Sequence, residues 1–243
     1  MRALSAAELL EVWERGVRQH PVDRALTVLS ASTGESRDEL ALASVGRRDA
    51  LLLSLYERMA GGGLHAFAEC PACTERLEYD LAVRDLLAGE GTRARDAELI
   101  MQIGDVRLRL RLLNSLDLAA AASCTDAEAA ARLLAERAVI DAHYEAEPLE
   151  AASLPDAILE EAGARLAEVD PQAETLIDLA CTNCSHVWQV VLDIESFLWA
   201  QINALAKRLL RDVHVLAVAY GWREADILAM SSVRRGFYLE MVS

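Results

Sequence analysis

Four of the five cysteines in this chain form two Cys-x-x-Cys pairs, Cys70 with Cys73 and Cys181 with Cys184, separated by 107 residues. Two intervening residues let both sulfurs of a pair reach one metal ion from a tight turn. Two such pairs supply the four thiolates of a tetrahedral zinc site. We therefore predict one structural zinc ion per chain, with Cys70, Cys73, Cys181 and Cys184 as its ligands. Such a site would join two segments that lie far apart in the sequence.

Each cysteine pair lies between two segments that have the pattern of extended chain. After the first pair, Leu77, Tyr79 and Leu81 alternate with charged residues, as in a half-buried strand. Glu174 to Ala180 and His186 to Ile194 flank the second pair in the same way. This strand–turn–strand arrangement is typical of a zinc ribbon. One competing interpretation is a thioredoxin-like dithiol, which would place a cysteine pair at the start of a helix. The other is that the thiols have no metal ligand role or are paired in another way.

Four further residues matter for deciding which side chains bind the metal and how the turns are built. Thr74 and Ser185 directly follow the second cysteine of each pair, where ribbon turns often have glycine. Cys124 is unpaired, and we expect it to be a small thiol in the core or at the surface. His186 is close enough to the second pair to be a ligand. Because four thiolates already complete a zinc site, an ordinary histidine beside the site is the preferred interpretation.

The rest of the chain is dominated by helical patterns. Capping boxes at Ser5–Glu8, Ser36–Glu39 and Thr125–Glu128 predict three helix starts, and Pro21 is expected to end the first helix. Leucines alternating with arginines predict a strand that ends a hairpin over Ala97 to Leu112.

These patterns predict a mainly α protein with small β content. It would be a helical protein built around a split zinc ribbon, with a large helical and hairpin insertion. The expected parts of this one compact unit are an N-terminal helical segment (1–63), the two ribbon halves (64–82 and 174–194), a mostly helical acidic insertion with one hairpin (83–173), and C-terminal helices (195–243).

The charge of the chain is strongly negative and unevenly distributed. The net charge is −15, and the segment from Asp117 to Asp178 has 15 acidic and 3 basic residues. Phosphate backbones repel such a protein, so we expect no nucleic-acid partner and favour a basic protein surface. The acidic segment is either a solvated face that keeps the protein in solution or a surface that steers association.

Several common functional signals are missing from the sequence. No apolar run approaches the roughly 20 residues that cross a bilayer, and the N-terminus contains Glu8, Glu11 and Glu14. We therefore expect a cytoplasmic protein without a membrane partner. There is no phosphate-binding loop, no His-Glu-x-x-His helix and no nucleophile elbow. We accordingly predict that the protein is not an enzyme and has no small-molecule substrate.

Short motifs that occur in order along nearly the whole chain carry a family resemblance. In the first half they are Trp13–Gly16, His20–Leu26, Val45–Asp49, Cys70–Cys73 and Leu77–Glu78. In the second half they are Cys181, Cys184, Trp188, Leu192–Ile194, Phe197–Trp199, Leu216–Ala217, Tyr220–Trp222, Glu224, Ile227–Leu228, Arg234–Arg235 and Tyr238–Leu239. In these motifs the chain resembles the baseplate hub assembly chaperones of T-even-type tailed phages and relatives encoded with phage-derived contractile injection systems.

The resemblance implies a non-enzymatic assembly chaperone or component of the hub and spike end of a contractile particle. Its partner would be a baseplate hub or spike protein. The C-terminal helices are rich in residue types that anchor interfaces, although core packing is the alternative for the aromatic residues. The predicted partner-binding residues are Trp199, Tyr220, Trp222, Arg234, Arg235 and Tyr238. A zinc-ribbon nucleic-acid-binding or regulatory protein, and a redox enzyme that uses the dithiols, are the competing functions.

Overall fold

The computed structural model of the chain describes residues 1–87 and 98–242. The predicted class is confirmed, because about 56% of the chain is helical and about 20% is strand in small sheets. Four helices precede the first cysteine pair: α1 (Ala6–Gly16), α2 (Pro21–Thr33), α3 (Arg37–Leu42) and α4 (Val45–Ala60). An antiparallel hairpin of β1 (Gly63–Glu69) and β2 (Arg76–Ala82) then carries that pair, and a short helix α5 (Val83–Leu86) follows.

The middle of the chain lies between the two cysteine pairs. Its elements are β3 (Glu98–Ile103), β4 (Val106–Arg111), α6 (Ser115–Ala121), α7 (Ala127–Ala138), β5 (Val139–Tyr144), β6 (Glu147–Leu149) and α8 (Asp156–Val169). The predicted hairpin begins at Ala97, which lies outside the described residues together with the rest of 88–97 and with Ser243.

The C-terminal part begins with the second cysteine hairpin. Its strands are β7 (Leu176–Ala180) and β8 (Val187–Val191), which pair antiparallel. The long helix α9 (Ile194–Tyr220) follows, and the chain continues through α10 (Glu224–Leu228) and α11 (Ser232–Glu240). Within the described residues no helix combines the length and the apolar character that crossing a membrane requires.

Two of the three predicted capping boxes are confirmed and two other predicted boundaries are wrong. Ser5 and Ser36 cap α1 and α3, each with the glutamate three residues later. Asp126, and not Thr125, caps α7, because its carboxylate accepts the N–H of Ala129 at 2.8 Å. The helix α1 already ends at Gly16, and residues 17–20 separate it from the next helix. Pro21 is the first residue of α2, a position that proline tolerates because the amides of a first turn have no helical acceptor.

The insertion contains more strand than the sequence predicts. Its hairpin is part of a four-stranded antiparallel sheet in the order β3–β4–β5–β6. The helix α7 ends at Ala138, and β5 starts at the next residue. No glycine or proline separates α7 from β5, so no helix-breaking residue marks the change from helix to strand. It is pairing with β4 that makes this segment extended.

The insertion packs around a core of its own. One apolar cluster joins α1, α2, α4, β1 and the first half of α9, and its fully buried residues include Leu52, Leu53 and Ile202. A second cluster, around Leu108 and Leu110, is formed by β4, β5, α7 and α8. Because the insertion buries its own apolar residues, it does not depend on space in the main core.

A buried carboxylate joins the sheet of the insertion to its helices. Asp117 is fully buried and accepts hydrogen bonds from Arg111 at 2.6 and 2.9 Å and from Arg137 at 2.7 Å. Burial alone would raise the pKa of Asp117, but the two arginines and the backbone N–H of Asn114 outweigh it and lower the pKa. Asp117 is thus one acidic residue of this segment with a structural role.

The first turn of α4 holds the insertion against the N-terminal helices. The N–H of Val45 donates to the carbonyl oxygen of Leu113 at 2.9 Å. The N–H of Gly46 donates to the buried carboxylate of Asp170 at 3.0 Å, just after α8. A Cβ atom at position 46 would lie 1.9 Å from Oδ1 of Asp170 and 3.0 Å from the backbone nitrogen of Ala173. Glycine is therefore required here for close approach.

We expect Gly46→Ala to lower the free energy of unfolding by about 1–3 kcal/mol, because the added methyl group must displace a buried carboxylate. Thermal or urea unfolding measures the change. Gly163→Ala in α8 is the matched control, since a Cβ atom there meets nothing within 4 Å. The control should unfold at or above the midpoint of the unmodified protein. A Gly46→Ala protein as stable as the control would contradict the close packing of α4 on Asp170.

Candidate metal centre

The four cysteines of the two pairs come together at the tips of the two hairpins. Their sulfur atoms all lie within 4.8 Å of one another. The Sγ atoms of Cys70 and Cys184 are 3.7 Å apart, and those of Cys73 and Cys181 are 3.6 Å apart. A metal ion with four bonds of about 2.3 Å to sulfur sets tetrahedral corners about 3.8 Å apart. The group, which we call the cysteine group, can therefore hold a metal ion.

The two turns that carry the cysteines have the same backbone hydrogen bonds. In the first turn the N–H of Cys70 donates to the oxygen of Glu75, and the N–H of Thr74 donates to the oxygen of Cys70, both at 2.9 Å. In the second turn Cys181 bonds the oxygen of His186 at 2.8 Å, and Ser185 bonds the oxygen of Cys181 at 2.9 Å. The chain thus builds the same metal-binding turn twice.

Thr74 and Ser185 adopt the backbone conformation that glycine usually supplies in such turns. Their φ angles are 61° and 60°, in the left-handed region. This region costs a residue with a side chain about 1–2 kcal/mol, and a β-branched residue such as threonine is rarely found there. The glycine missing from the sequence therefore does not change the geometry of either turn. Each turn is held in a strained conformation by its surroundings.

The pKa values of two thiols show how strongly the sulfur atoms of the cysteine group affect one another. Backbone N–H groups of Cys184 and Asn183 lower the pKa of Cys181 to about 7. The backbone N–H of His186 lowers the pKa of Cys184, but the neighbouring sulfurs of Cys73 and Cys181 outweigh it and raise that pKa to about 12. Four sulfurs this close cannot all be thiolates without a cation between them. A divalent metal ion removes this repulsion.

Burial differs between the first and the second cysteine of each pair. Cys70 and Cys181 are buried, Cys73 is partly buried and Cys184 is exposed. The side-chain amide of Asn183 lies 3.7 Å from the sulfur of Cys73 and donates to it. The centre therefore lies at the surface of the protein, with its inner side closed by the two hairpins.

The hairpins are fixed to the rest of the protein at the ends away from the cysteines. Leu64 and Val83 at the base of the first hairpin belong to the main core, as does Ile194 at the base of the second. The apolar side chains of Phe67 and Val187 are exposed along the arms. The cysteine group is the contact that joins the tips.

Cys124 and His186 lie outside the cysteine group, as the sequence predicts for both. Cys124 is a free, partly buried thiol just after α6. The ring of His186 is exposed and stacks on Trp188 with the ring centroids 5.9 Å apart. Its backbone contacts the metal-binding turn twice, because its oxygen accepts the N–H of Cys181 and its N–H lies at Cys184.

The predicted partner-binding residues divide into two sets. Tyr220 stacks on Trp222 with a centroid distance of 4.4 Å, and Tyr238 packs edge-on against both rings. Arg234 lies over the ring of Tyr238 at 5.7 Å, so these four residues form one cluster at the end of α9. Their role in partner binding stays a prediction.

Trp199 and Arg235 do not belong to this cluster. The Trp199 ring packs on the backbone of Gly16 and under the guanidinium of Arg24, which is 4.6 Å from the ring centroid. Arg235 is buried and bonds Asp212 at 3.1 Å. Tryptophan and arginine occur in interfaces and in cores alike, so residue type alone did not separate these two from the others.

No protein-family model, curated protein or solved structure significantly matches the chain. The cysteine group and the surface of the protein therefore supply the structural grounds for a function.

We expect Cys70→Ser and Cys181→Ser to destabilise the protein equally, because either change leaves three thiolates. Each should lower the free energy of unfolding by at least about 3 kcal/mol, since a structural metal site supplies on the order of 10 kcal/mol. Cys124→Ser is the matched control and should change it by less than about 1 kcal/mol. Thermal unfolding of the three variants provides the comparison. If Cys124→Ser were the most damaging change, the cysteine group would not be the metal site.

Proposed function

We propose that the cysteine group binds one structural zinc ion and that the two hairpins form a split zinc ribbon. Four thiolates at tetrahedral spacing favour zinc or iron over harder metals. Zinc fits a site that uses all four cysteines for structure, because no coordination position remains for water or substrate. In this proposal the metal joins the two hairpin tips and takes no part in a reaction.

We infer further that the protein is a non-enzymatic assembly factor that binds another protein. The observation that carries this proposal is an apolar stripe on α11. Val233 and Phe237 on α11 and Met241, the residue that follows the helix, are spaced four residues apart, and 68%, 60% and 71% of their respective surfaces are exposed. An exposed apolar stripe on one side of a helix supports an interaction surface there. We call these three residues the α11 stripe.

The aromatic cluster of Tyr220, Trp222 and Tyr238 supports the same surface. Tyr238 is on α11 together with the stripe, and the other two residues lie at the end of α9. Aromatic residues and arginine contribute most of the binding energy in typical interfaces. The family resemblance supplies the partner: a hub or spike protein of a contractile phage tail or injection system.

The acidic insertion supports a steering role in this association. Each of the three arginines between Asp117 and Asp178 is already in an ion pair: Arg132 with Glu136 and Asp156, Arg137 with Asp117, and Arg165 with Glu168. The remaining acidic residues of the segment therefore have no arginine of the segment left to balance them, and they produce a negative field. Such a field speeds the encounter with a basic partner and is screened by salt.

Nucleic-acid binding is the alternative function, because two helices joined at Gly221, α9 and α10, have the order of a helix-turn-helix. The segment from Lys207 to Ser243 has 6 basic and 4 acidic residues, a net charge of +2. This excess is small beside the charge of −15 on the whole chain, which repels phosphate.

We expect about one equivalent of zinc per chain in protein purified without chelator, as a four-thiolate site requires. Elemental analysis measures the metal, and Cys70→Ser protein prepared in parallel is the control that should lose it. Iron at one equivalent would contradict zinc but keep the four-thiolate site. A folded protein with no metal would contradict the site itself.

We expect deletion of the gene to reduce the yield of complete contractile particles, because the hub would lose the factor that covers its apolar surfaces during assembly. Electron microscopy measures the yield by counting complete particles. Complementation with Phe237→Ser should fail at least in part, since it interrupts the α11 stripe. Phe67→Ser is the matched control, because Phe67 is 65% exposed but lies on β1.

The outcomes distinguish the parts of this proposal. Normal sheathed particles at normal yield in the deletion strain would contradict the assembly role. Full complementation by Phe237→Ser would keep the role but move the contact away from α11.

A further inference from the structure

A groove of about 540 Å³ lies between α7 and α8 in the acidic insertion. This volume is in the range of sites that bind ligands in other proteins. Ala131 and Ala135 line the groove from α7, and Leu159 and Gly163 line it from α8. Residues four positions apart lie on one face of a helix, so each helix turns one face to the groove. Small residues at three of these four positions leave room for another element. We call this feature the α7–α8 groove.

Helix α7 is poorly covered by the rest of the protein. Eight of its twelve residues are alanine or leucine, yet only Ala138, at its last position, is buried. The neighbouring helix α8 buries Leu159, Ala162 and Leu166. A helix as short as α7 gains most of its stability from burying an apolar face against other elements. An occupant of the groove would give α7 such a contact.

The charge of the groove favours a basic occupant. Three carboxylates and one arginine line it, which gives a net charge of −2. The arginine, Arg132, already forms ion pairs with Glu136 and Asp156. Glu128 on α7 and Glu160 on α8 are exposed and have no ion pair with any cation of the described residues. Each helix therefore offers one unpaired carboxylate to a partner with complementary charge.

The combination of charge and apolar surface favours a helix over a smaller occupant. A metal ion or a polyamine would neutralise the two carboxylates but leave the apolar residues of the groove uncovered. A helix that lies along the groove can pack an apolar strip on Ala131, Ala135 and Gly163 and place cations on both sides of the strip. Binding of an amphipathic helix in a groove is a common form of protein recognition.

We propose that the α7–α8 groove binds a basic amphipathic helix of a partner protein. The apolar strip of this helix packs on the small residues of the groove, and arginine or lysine on its two sides pairs with Glu128 and Glu160. The site identifies the segment that the acidic insertion attracts, and so it rests on the proposed protein-binding function. Normal particles in the deletion strain would contradict the assembly role alone, whereas the test of the groove uses peptides and no particle.

The test begins with a displayed library of helical peptides of about 18 residues, which form about five turns. The library is selected on the immobilised full-length protein and then depleted of peptides that also bind Gly163→Leu protein. A Cβ atom at position 163 meets nothing within 4 Å, and leucine favours the helix, so this variant should fold with a filled groove. We expect the surviving sequences to share an apolar strip with arginine or lysine on both sides.

Ala164→Leu is the matched control, because it adds leucine at the next position of α8, which is exposed and does not line the groove. The surviving peptides should bind this control as tightly as the unmodified protein. Replacing the apolar strip of the best peptide by serine, with its cations kept, should weaken binding at least about tenfold. The proposal is overturned if no peptide survives the depletion, if the survivors lack cations, or if the serine peptide binds equally well.

A pair of substitutions tests the two carboxylates. Glu128→Gln together with Glu160→Gln should weaken binding of the best peptide at least about fivefold, as for the loss of two exposed ion pairs. Glu147→Gln together with Glu150→Gln is the matched control, because these exposed residues of the insertion do not line the groove. It removes the same charge and should weaken binding by less than about twofold. Equal weakening by both pairs would overturn the proposed site.

Hydrogen exchange locates the bound peptide independently of these variants. The amides of α7 should exchange readily in the free protein, because little of the helix is buried. At a peptide concentration of about 100 Kd, their exchange should slow at least about tenfold, since the peptide binds the folded helix. Protection of α11 without protection of α7 would overturn the proposal.

Sedimentation of the unmodified protein distinguishes a partner protein from a second copy of the chain. We expect a monomer. A dimer that Gly163→Leu converts to monomer would make a second copy the occupant and would overturn the proposal. If Gly163→Leu does not fold, the glutamine variants and hydrogen exchange decide with peptides selected on the unmodified protein alone.

Discussion

The meeting of four cysteine sulfurs at the tips of two hairpins is the contact on which the arrangement of the chain depends. The hairpins are separated by 107 residues, and their sulfurs lie within 4.8 Å of one another. Holding together two points about 100 residues apart removes about 4.7 kcal/mol of chain entropy. A structural zinc site supplies on the order of 10 kcal/mol, so the proposed metal can offset this cost. It can also offset the free-energy cost of the left-handed conformations of Thr74 and Ser185.

The long insertion is compatible with this closure because it folds around its own apolar cluster. Leu108 and Leu110 pack against α7 and α8, and Asp117 holds two arginines inside the same unit. The contact between Gly46 and Asp170 then fixes the end of the insertion on α4. The metal-binding turns, the main core and the insertion are thus three packed regions connected by a few close contacts. On the surface, the insertion is rich in acidic residues and α11 has exposed apolar residues.

The acidic insertion and the apolar residues of α11 would act at different stages of the proposed binding. An acidic insertion would attract a basic partner from a distance, whereas the α11 stripe would act after contact. In this proposal these surfaces serve protein binding. The closed shell of the proposed zinc site is consistent with that role.

Local signals in the sequence determined the cysteine pairs, the caps at Ser5 and Ser36, and the strands beside the cysteines. Each depends on residues within a few positions of one another, through side-chain hydrogen bonds or a repeating apolar pattern. The tertiary structure decided the rest. Pro21 begins a helix because α2 packs on the main core, and Val139–Tyr144 is a strand because β4 pairs with it. Arg235 is buried because α9 and α11 enclose it, while Phe237, two positions later, is exposed. Burial and strand pairing arise from distant parts of the chain, and no short stretch of sequence contains them.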